Sequence, residues 1–391
     1  MIVQRRAVTA VLTAAALLFV AGCSSGGDGP GGGSSAPGTS KPGSADPTGS
    51  ASASATPPPA KGSVDVVRTV GEGLNSPWGL APLPGGDLLV SSRDTGTITR
   101  IDAKNGKKTE AGKVPGVAAA GEGGLLGLAL SPSFASDHMV YAYFTTESDN
   151  RIARMLYDEK KPTGQQLGAP NTVLRGIPKG AIHNGGRIAF GPDKMLYAGT
   201  GETGDTGLAQ DKESLGGKIL RMTPDGEPAP GNPFGATSYV YSYGHRNVEG
   251  LAWDEDKRLW ASEFGQDKWD ELNQIVPGDN YGWPTYEGTA NKPGYHDPVV
   301  EWHPSEASPA GIAYAEGSIW MAALRGQRLW RIPVRGVEGK PKPEAFLDAK
   351  YGRLRTVVSE GGDKLWLTTS NTDGRGTPKA GDDRVLEVRV S

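Results

Sequence analysis

Gly250-Leu251-Ala252, carried across a turn to Leu259-Trp260, is a short phrase: a small residue, an aliphatic, an alanine, then an apolar pair ending in an aromatic. The phrase recurs between residues 75 and 390. Gly79-Leu80-Ala81 leads to Leu88-Leu89, Gly127-Leu128-Ala129 to Val140-Tyr141, and Arg187-Ile188-Ala189 to Leu196-Tyr197. Gly311-Ile312-Ala313 leads to Ile319-Trp320, and a looser Thr356-Val357-Val358 to Leu365-Trp366. Turn formers such as Pro84-Gly85-Gly86, Gly191-Pro192-Asp193 and Gly361-Gly362-Asp363 separate these β-rich runs, so each phrase reads as two antiparallel strands. Self-similarity of this kind predicts an all-β fold, a six-bladed β-propeller of four-stranded antiparallel blades. The loops of such a disc gather round a central channel, where function is to be sought.

Upstream of the repeats, Arg5-Arg6 precede an apolar run from Ala7 to Val20 that is short for a membrane span and ends in Ala21-Gly22. Cys23, the one cysteine of the chain, follows at once, so residues 1–22 read as a signal peptide and Val20-Ala21-Gly22-Cys23 resembles the cleavage and acylation site of bacterial lipoproteins. A lone cysteine forms no internal disulfide. Residues 23–61 are nearly all Gly, Ser, Ala, Pro and Thr, a composition that buries no core and predicts a disordered tether. The expected protein is a single propeller domain, residues 62–391, exported and lipid-anchored on the outer face of the cytoplasmic membrane.

A net charge of −3 over 391 residues, without a basic run, argues against a nucleic-acid partner. The chain has no Gly-x-Ser-x-Gly elbow, no phosphate-cradling loop followed by lysine, and no His-Glu-x-x-His zinc pattern. Hydrolytic and nucleotide-driven chemistries lose ground accordingly.

Several residues exceed what a plain propeller needs. His183, in His183-Asn184-Gly185-Gly186, stands just before the third inner strand, where an imidazole could act as a base or simply as a structural hydrogen-bonder. Arg246 and Asn247 stand at the equivalent place before the fourth, a planar cation beside an amide, suited to an oxygen-rich planar group or to a salt bridge. Arg353 and Arg355 share one face of an extended strand, and Arg325 could join them. Such a cluster suits a ligand with several carboxylates or phosphates, although separate solvated arginines remain an alternative. The oxygen-rich loops Gly201-Glu202-Thr203-Gly204-Asp205 and Glu263-Phe264-Gly265-Gln266-Asp267 offer donors of the kind calcium prefers, without an EF-hand pattern. Asn280-Tyr281-Gly282-Trp283-Pro284 reads first as a structural turn packed over the fourth blade, although aromatics at a channel rim can also stack on a sugar or a flat cofactor.

Taken in order, Gly121-Glu122-Gly123-Gly124-Leu125-Leu126-Gly127, His183-Asn184-Gly185-Gly186-Arg187, Gly244-His245-Arg246-Asn247, Ser262-Glu263-Phe264-Gly265, Asp270-Glu271-Leu272-Asn273, Asn280-Tyr281-Gly282-Trp283-Pro284 and Arg353-Leu354-Arg355 closely resemble the soluble glucose and aldose-sugar dehydrogenases that depend on pyrroloquinoline quinone (PQQ). The resemblance spans residues 70 to 390. It implies that His183 removes the proton of the anomeric hydroxyl while Arg246 polarises the quinone carbonyl. It further implies that Asn247 hydrogen-bonds the quinone, that Arg325, Arg353 and Arg355 meet its carboxylates, and that the carbonyls of Gly265 and Gln266 bind calcium. Glu122 and Glu202 fall among the expected cofactor-binding residues. This chain has Arg325 where glucose-oxidising members carry lysine, Glu122 in place of glutamine, Gln266 in place of proline, and Ile182 in place of an aspartate. That last change removes a carboxylate able to bind a sugar hydroxyl and steady the histidine, so a preference for glucose does not carry over.

The expected function is PQQ- and calcium-dependent oxidation of an aldose or related alcohol to a lactone, with electrons passed to an external acceptor, since no Cys-x-x-Cys-His haem site is present. The alternatives are a cofactor-free surface propeller that binds carbohydrate or protein, and a metal-dependent lactonase, which would need side-chain carboxylate and asparagine ligands converging on the channel axis.

Overall fold

In the computed structural model, residues 58–391 are described, and they fall within one compact unit. The expected signal segment, Cys23 and all but the end of the tether lie outside the described residues. Each phrase quoted above forms the two innermost strands of a blade. The first blade runs Pro77–Pro82, Leu88–Ser92, Thr97–Ile101 and Lys108–Lys113, ordered from the channel outward, and the next four blades follow the same plan. The sixth takes Leu354–Gly361, Lys364–Thr369 and Val385–Val390 from the end of the chain and its outer strand, Val64–Gly71, from the start of the described residues. Val64 pairs with Val390 there, and Ser63 and Ser391 exchange backbone hydrogen bonds of 3.2 Å. The helices among the described residues are a four-residue α-turn at Phe134–Asp137 and a 3₁₀ turn at Thr206–Ala209.

The phrase explains why the blades stack. Side chains alternate across a strand, so the alanine and the final aromatic face one way while the aliphatic and the first apolar residue face the other. In the fourth blade Ala252 lies opposite Trp260, and these two join Ile312 and Ile319 of the fifth blade in one apolar core. The same pairing places Ala313 and Trp320 against Val357 and Leu365, and Ala129 and Tyr141 against Ile188 and Leu196. Alanine is the size that fits, because the aromatic across from it already fills the gap between blades. Burying such a ring contributes on the order of 1.5–3 kcal/mol, and Trp320 and Trp366 are fully buried.

The first position of the phrase is small for another reason. Around the channel the inner strands approach so closely that a Cβ on Gly250 would lie 2.2 Å from Ser262 Oγ and 2.5 Å from the Ala310 carbonyl of the next blade. Ser262 Oγ donates to that same carbonyl at 2.6 Å, so this side chain stitches the fourth blade to the fifth. Gly250→Ala is therefore expected to destabilise the protein by about 1–3 kcal/mol, visible as a lowered melting temperature. Gly85→Ala, at a turn with open space around it, serves as control; equal melting of the two variants would refute this account of the channel.

Candidate functional site

The loops at one end of the channel enclose a cavity of about 430 Å³. Blades contribute to it from two stations, the approach to the inner strand and the exit from the second strand. His183, Arg246 and Asn247 come from approaches, and Gly265, Gln266 and Arg325 from exits. Glu122, Arg353 and Arg355 complete the set expected from sequence that lines the cavity. Glu202 is not among the lining residues; it stands behind His183.

His183 is held from three sides. Its backbone adopts φ +51°, its N–H donates to Glu122 Oε2 at 2.8 Å, and its Nδ1 lies 2.7 Å from Glu202 Oε1. A Cβ on Gly201 would sit 1.9 Å from the His183 carbonyl oxygen, so only glycine lets the two loops meet. Glu202 is 1% exposed and its other oxygen accepts from the Gly204 N–H. A carboxylate only accepts, which puts the imidazole hydrogen on Nδ1 and leaves Nε2 with a bare lone pair and no hydrogen bond among the described residues. That is the arrangement of an oriented base.

Arginines dominate the rest of the lining. Arg353 Nε donates to Asp373 Oδ2 at 2.9 Å, and Arg355 reaches the same oxygen at 3.7 Å while donating to Glu249 Oε2 at 2.8 Å. Burial alone would raise the Asp373 carboxyl, but Arg353 and then Arg355 outweigh it and hold it below the usual range. Arg325 is exposed and makes no ion pair among the described residues. Arg246 is lowered by burial; its guanidinium lies 5.4 Å over the Trp283 ring, and its Nε is buried with no partner. Trp283 belongs to the aromatic turn, whose Tyr281 stacks on His245, so that turn buttresses the loop carrying Arg246 and Asn247. Asn247 is already engaged, accepting from the Gly185 N–H at 2.9 Å and donating to Glu249 at 3.3 Å.

The oxygen-rich loops divide. Glu263, read as a possible ligand, turns inward to His245 Nδ1 at 2.5 Å; burial pushes the histidine down to about 3 and the carboxyl up to about 8, a neutral buried pair. Gly265 and Gln266 stay at the cavity. Asp270 Oδ1 accepts the Gly265 N–H at 2.9 Å, and Glu287 Oε1 gathers the N–H groups of Gln266, Asp267, Lys268 and Trp269 at 2.6 to 3.2 Å. No hydrogen bond among the described residues ends on the carbonyl oxygen of Gly265 or Gln266. No group of three His, Cys, Asp or Glu side chains that could hold a metal occurs among the described residues.

Sequence reasoning passed over Arg187, which is the channel floor. It stands where four of the other five repeats carry glycine, and its side chain crosses to the Glu249 carbonyl at 2.8 Å, Thr356 Oγ1 at 3.0 Å and the face of Trp78 at 4.4 Å. Burial lowers its pKa to about 10. The break in the repeat was the available signal. Arg93 and Arg375 also line the cavity; Arg93 leaves the first blade's second strand at the station where Arg325 leaves the fifth's.

The sequence pattern of the Glucose / Sorbosone dehydrogenase family matches residues 74–377. Among solved structures, the PQQ-bound form of an aldose sugar dehydrogenase from Streptomyces coelicolor is 76% identical, covers 85% of this chain and all of its own, and superposes with a TM-score of 0.84. The aldose sugar dehydrogenase YliI of Escherichia coli is 29% identical over 85% of this chain and 88% of its own length. Quinoprotein glucose dehydrogenase B of Acinetobacter calcoaceticus is 32% identical over 57% of this chain and 53% of its own.

Glu202→Leu removes the group that fixes the His183 hydrogen. The ¹⁵N spectrum of labelled histidine is expected to shift His183 away from the Nδ1–H tautomer, with a loss of about 1–3 kcal/mol in stability from the stranded donors. An unchanged tautomer would show that Glu202 does not orient the ring.

Proposed function

Because the chain belongs to the glucose/sorbosone dehydrogenase family, we propose that it is a PQQ- and calcium-dependent dehydrogenase that oxidises aldose sugars or related alcohols to lactones and hands the electrons to an external acceptor. One observation carries the reading: the bare Nε2 of His183 shares its cavity with six arginines that face only four carboxylates. The unpartnered Arg246 Nε and the unpaired Arg325 leave that positive excess open to a polycarboxylate, which PQQ is. When bound, PQQ supplies the hydride acceptor and calcium a Lewis acid beside it.

The chain's own residues supply position and charge. His183 Nε2 takes the proton of the anomeric hydroxyl, and Glu202 stabilises the imidazolium that results. Arg246, desolvated against Trp283, presents its cation where negative charge develops on an oxygen. Arg325, Arg353 and Arg355 would hold the cofactor's carboxylates. Asp373 lies against the last two, and the free carbonyls of Gly265 and Gln266 would hold calcium, their loop pinned by Glu287. Asn247 would reach the cofactor only with the amide hydrogens left after its bonds to Gly185 and Glu249. Ile182 is 39% exposed beside His183 and gives the sugar an apolar edge where a carboxylate would offer a hydrogen bond. Upstream, Cys23 is proposed as the acylated anchor of an exported protein; Cys23→Ser would then release it from the membrane fraction.

Titration with PQQ, with and without calcium, followed by absorbance and then by mixed aldoses, tests the reading. Calcium-dependent binding and bleaching on sugar addition are expected, and failure to bind micromolar cofactor would overturn it. His183→Asn should lower kcat by about 10²–10⁴ while cofactor binding survives, and Ile182→Asp should raise kcat/KM for glucose relative to other aldoses.

A further inference from the structure

Beside the His183 cavity lies a second bay of about 360 Å³, and the two share Arg325, Arg353 and Arg375. The other charged residues lining the bay are Lys350, Lys379, Arg384 and a single carboxylate, Asp382. Six cations thus line the bay with one acid; Arg353 and Arg375 are offset from outside it by Asp373 and Glu122, which leaves Arg325, Lys350 and Lys379 without an ion pair among the described residues. Asp382 is already engaged, lying 3.5 Å from Arg384 Nε and accepting the Lys379 backbone N–H at 2.8 Å. Lys350 and Lys379 are exposed and make no ion pair among the described residues, while Arg384 Nε is buried without a hydrogen bond. Cations gathered this way in a concave site repel one another and raise the local concentration of anions.

The bay is badly placed for the sugar. None of His183, Arg246 or Asn247 lines it, so a molecule bound there cannot bring a hydroxyl to the base. It adjoins the arginine end of the cavity, the end assigned above to the carboxylates of the cofactor. An electron acceptor has no need to touch His183; it needs only to come close to the reduced cofactor. Resting on the dehydrogenase reading, we propose that this bay docks a small anionic electron acceptor. With a one-electron acceptor, one aldose gives one lactone, two acceptor molecules each gain one electron, and two protons are released, the first through His183.

The test compares hexacyanoferrate(III), an anion, with hexaammineruthenium(III), a cation, as acceptors for the loaded enzyme. In Lys350→Glu/Lys379→Glu, KM for hexacyanoferrate(III) should rise about tenfold or more, with KM for the aldose unchanged and the ruthenium rate unchanged or higher. Lys350→Gln/Lys379→Gln should fall between, which separates charge from misfolding. Independently of turnover, calorimetry with redox-inert hexacyanocobaltate(III) on the cofactor-free protein should show binding that the double Glu variant loses. Unaltered hexacyanoferrate(III) kinetics in the double Glu variant would overturn the proposal, even if the cobalt anion binds. So would an equal loss with both acceptors. Absence of sugar oxidation with every acceptor would instead overturn the dehydrogenase reading itself.

Discussion

One guanidinium holds the centre of the ring. Arg187 leaves the third blade and meets the fourth through Glu249, the sixth through Thr356 and the first through Trp78. A charge so fully desolvated is tolerable only if its donors are satisfied, and a hydrogen bond to a charged group contributes about 1.5–3 kcal/mol. The chain spreads that demand outward. Glu249, raised by burial and drawn back by Arg355 and Arg187, ties the floor to Arg355; Asp373 ties Arg355 to Arg353. The floor of the channel and this part of the cavity lining are therefore a single electrostatic network, and Arg353 and Arg355 cannot swing independently of the blade arrangement.

The base is fixed by a different device. Glu122 holds the backbone of His183 and Glu202 its ring, the first from the second blade's approach and the second from the third blade's exit. Glu122 also meets Arg375 at 2.7 Å, so a residue of the sixth blade bears on the loop of the third across the mouth of the cavity. The propeller contributes rigidity, and the loops contribute chemistry; neither side chain of the His183 pair would be oriented by its own loop alone.

Much of this was legible in the sequence. The alternation inside Gly250-Leu251-Ala252 and Leu259-Trp260 carries both the strand and the direction in which each side chain packs, so the fold follows from local information. The spacing of Arg353 and Arg355 put both on one face, and their common partner Asp373 bears that out. What escaped depends on chain segments far apart. Nothing near Gln266 announces that Glu287 will gather its loop, nor does anything near Arg93 point to the Asp373 carbonyl, 3.1 Å away and separated by 280 positions. Glu263 and Glu202 look alike locally, each at the exit of a second strand, yet one is buried against a neutral histidine and the other serves the base. Only the three-dimensional neighbours, His245 and His183, distinguish them.

The strand Val64–Gly71 gives the ring a property that its repeats alone would lack. Five blades are each woven from one uninterrupted stretch and can form as that stretch becomes available, while the sixth waits for both ends of the chain. As the chain is synthesised, the first strand of the described residues appears well before its partner, Val385–Val390, which arrives last. Until then that first strand is an unsatisfied row of donors and acceptors, a surface on which another unfinished copy could settle, and ring closure is the step that ends the exposure.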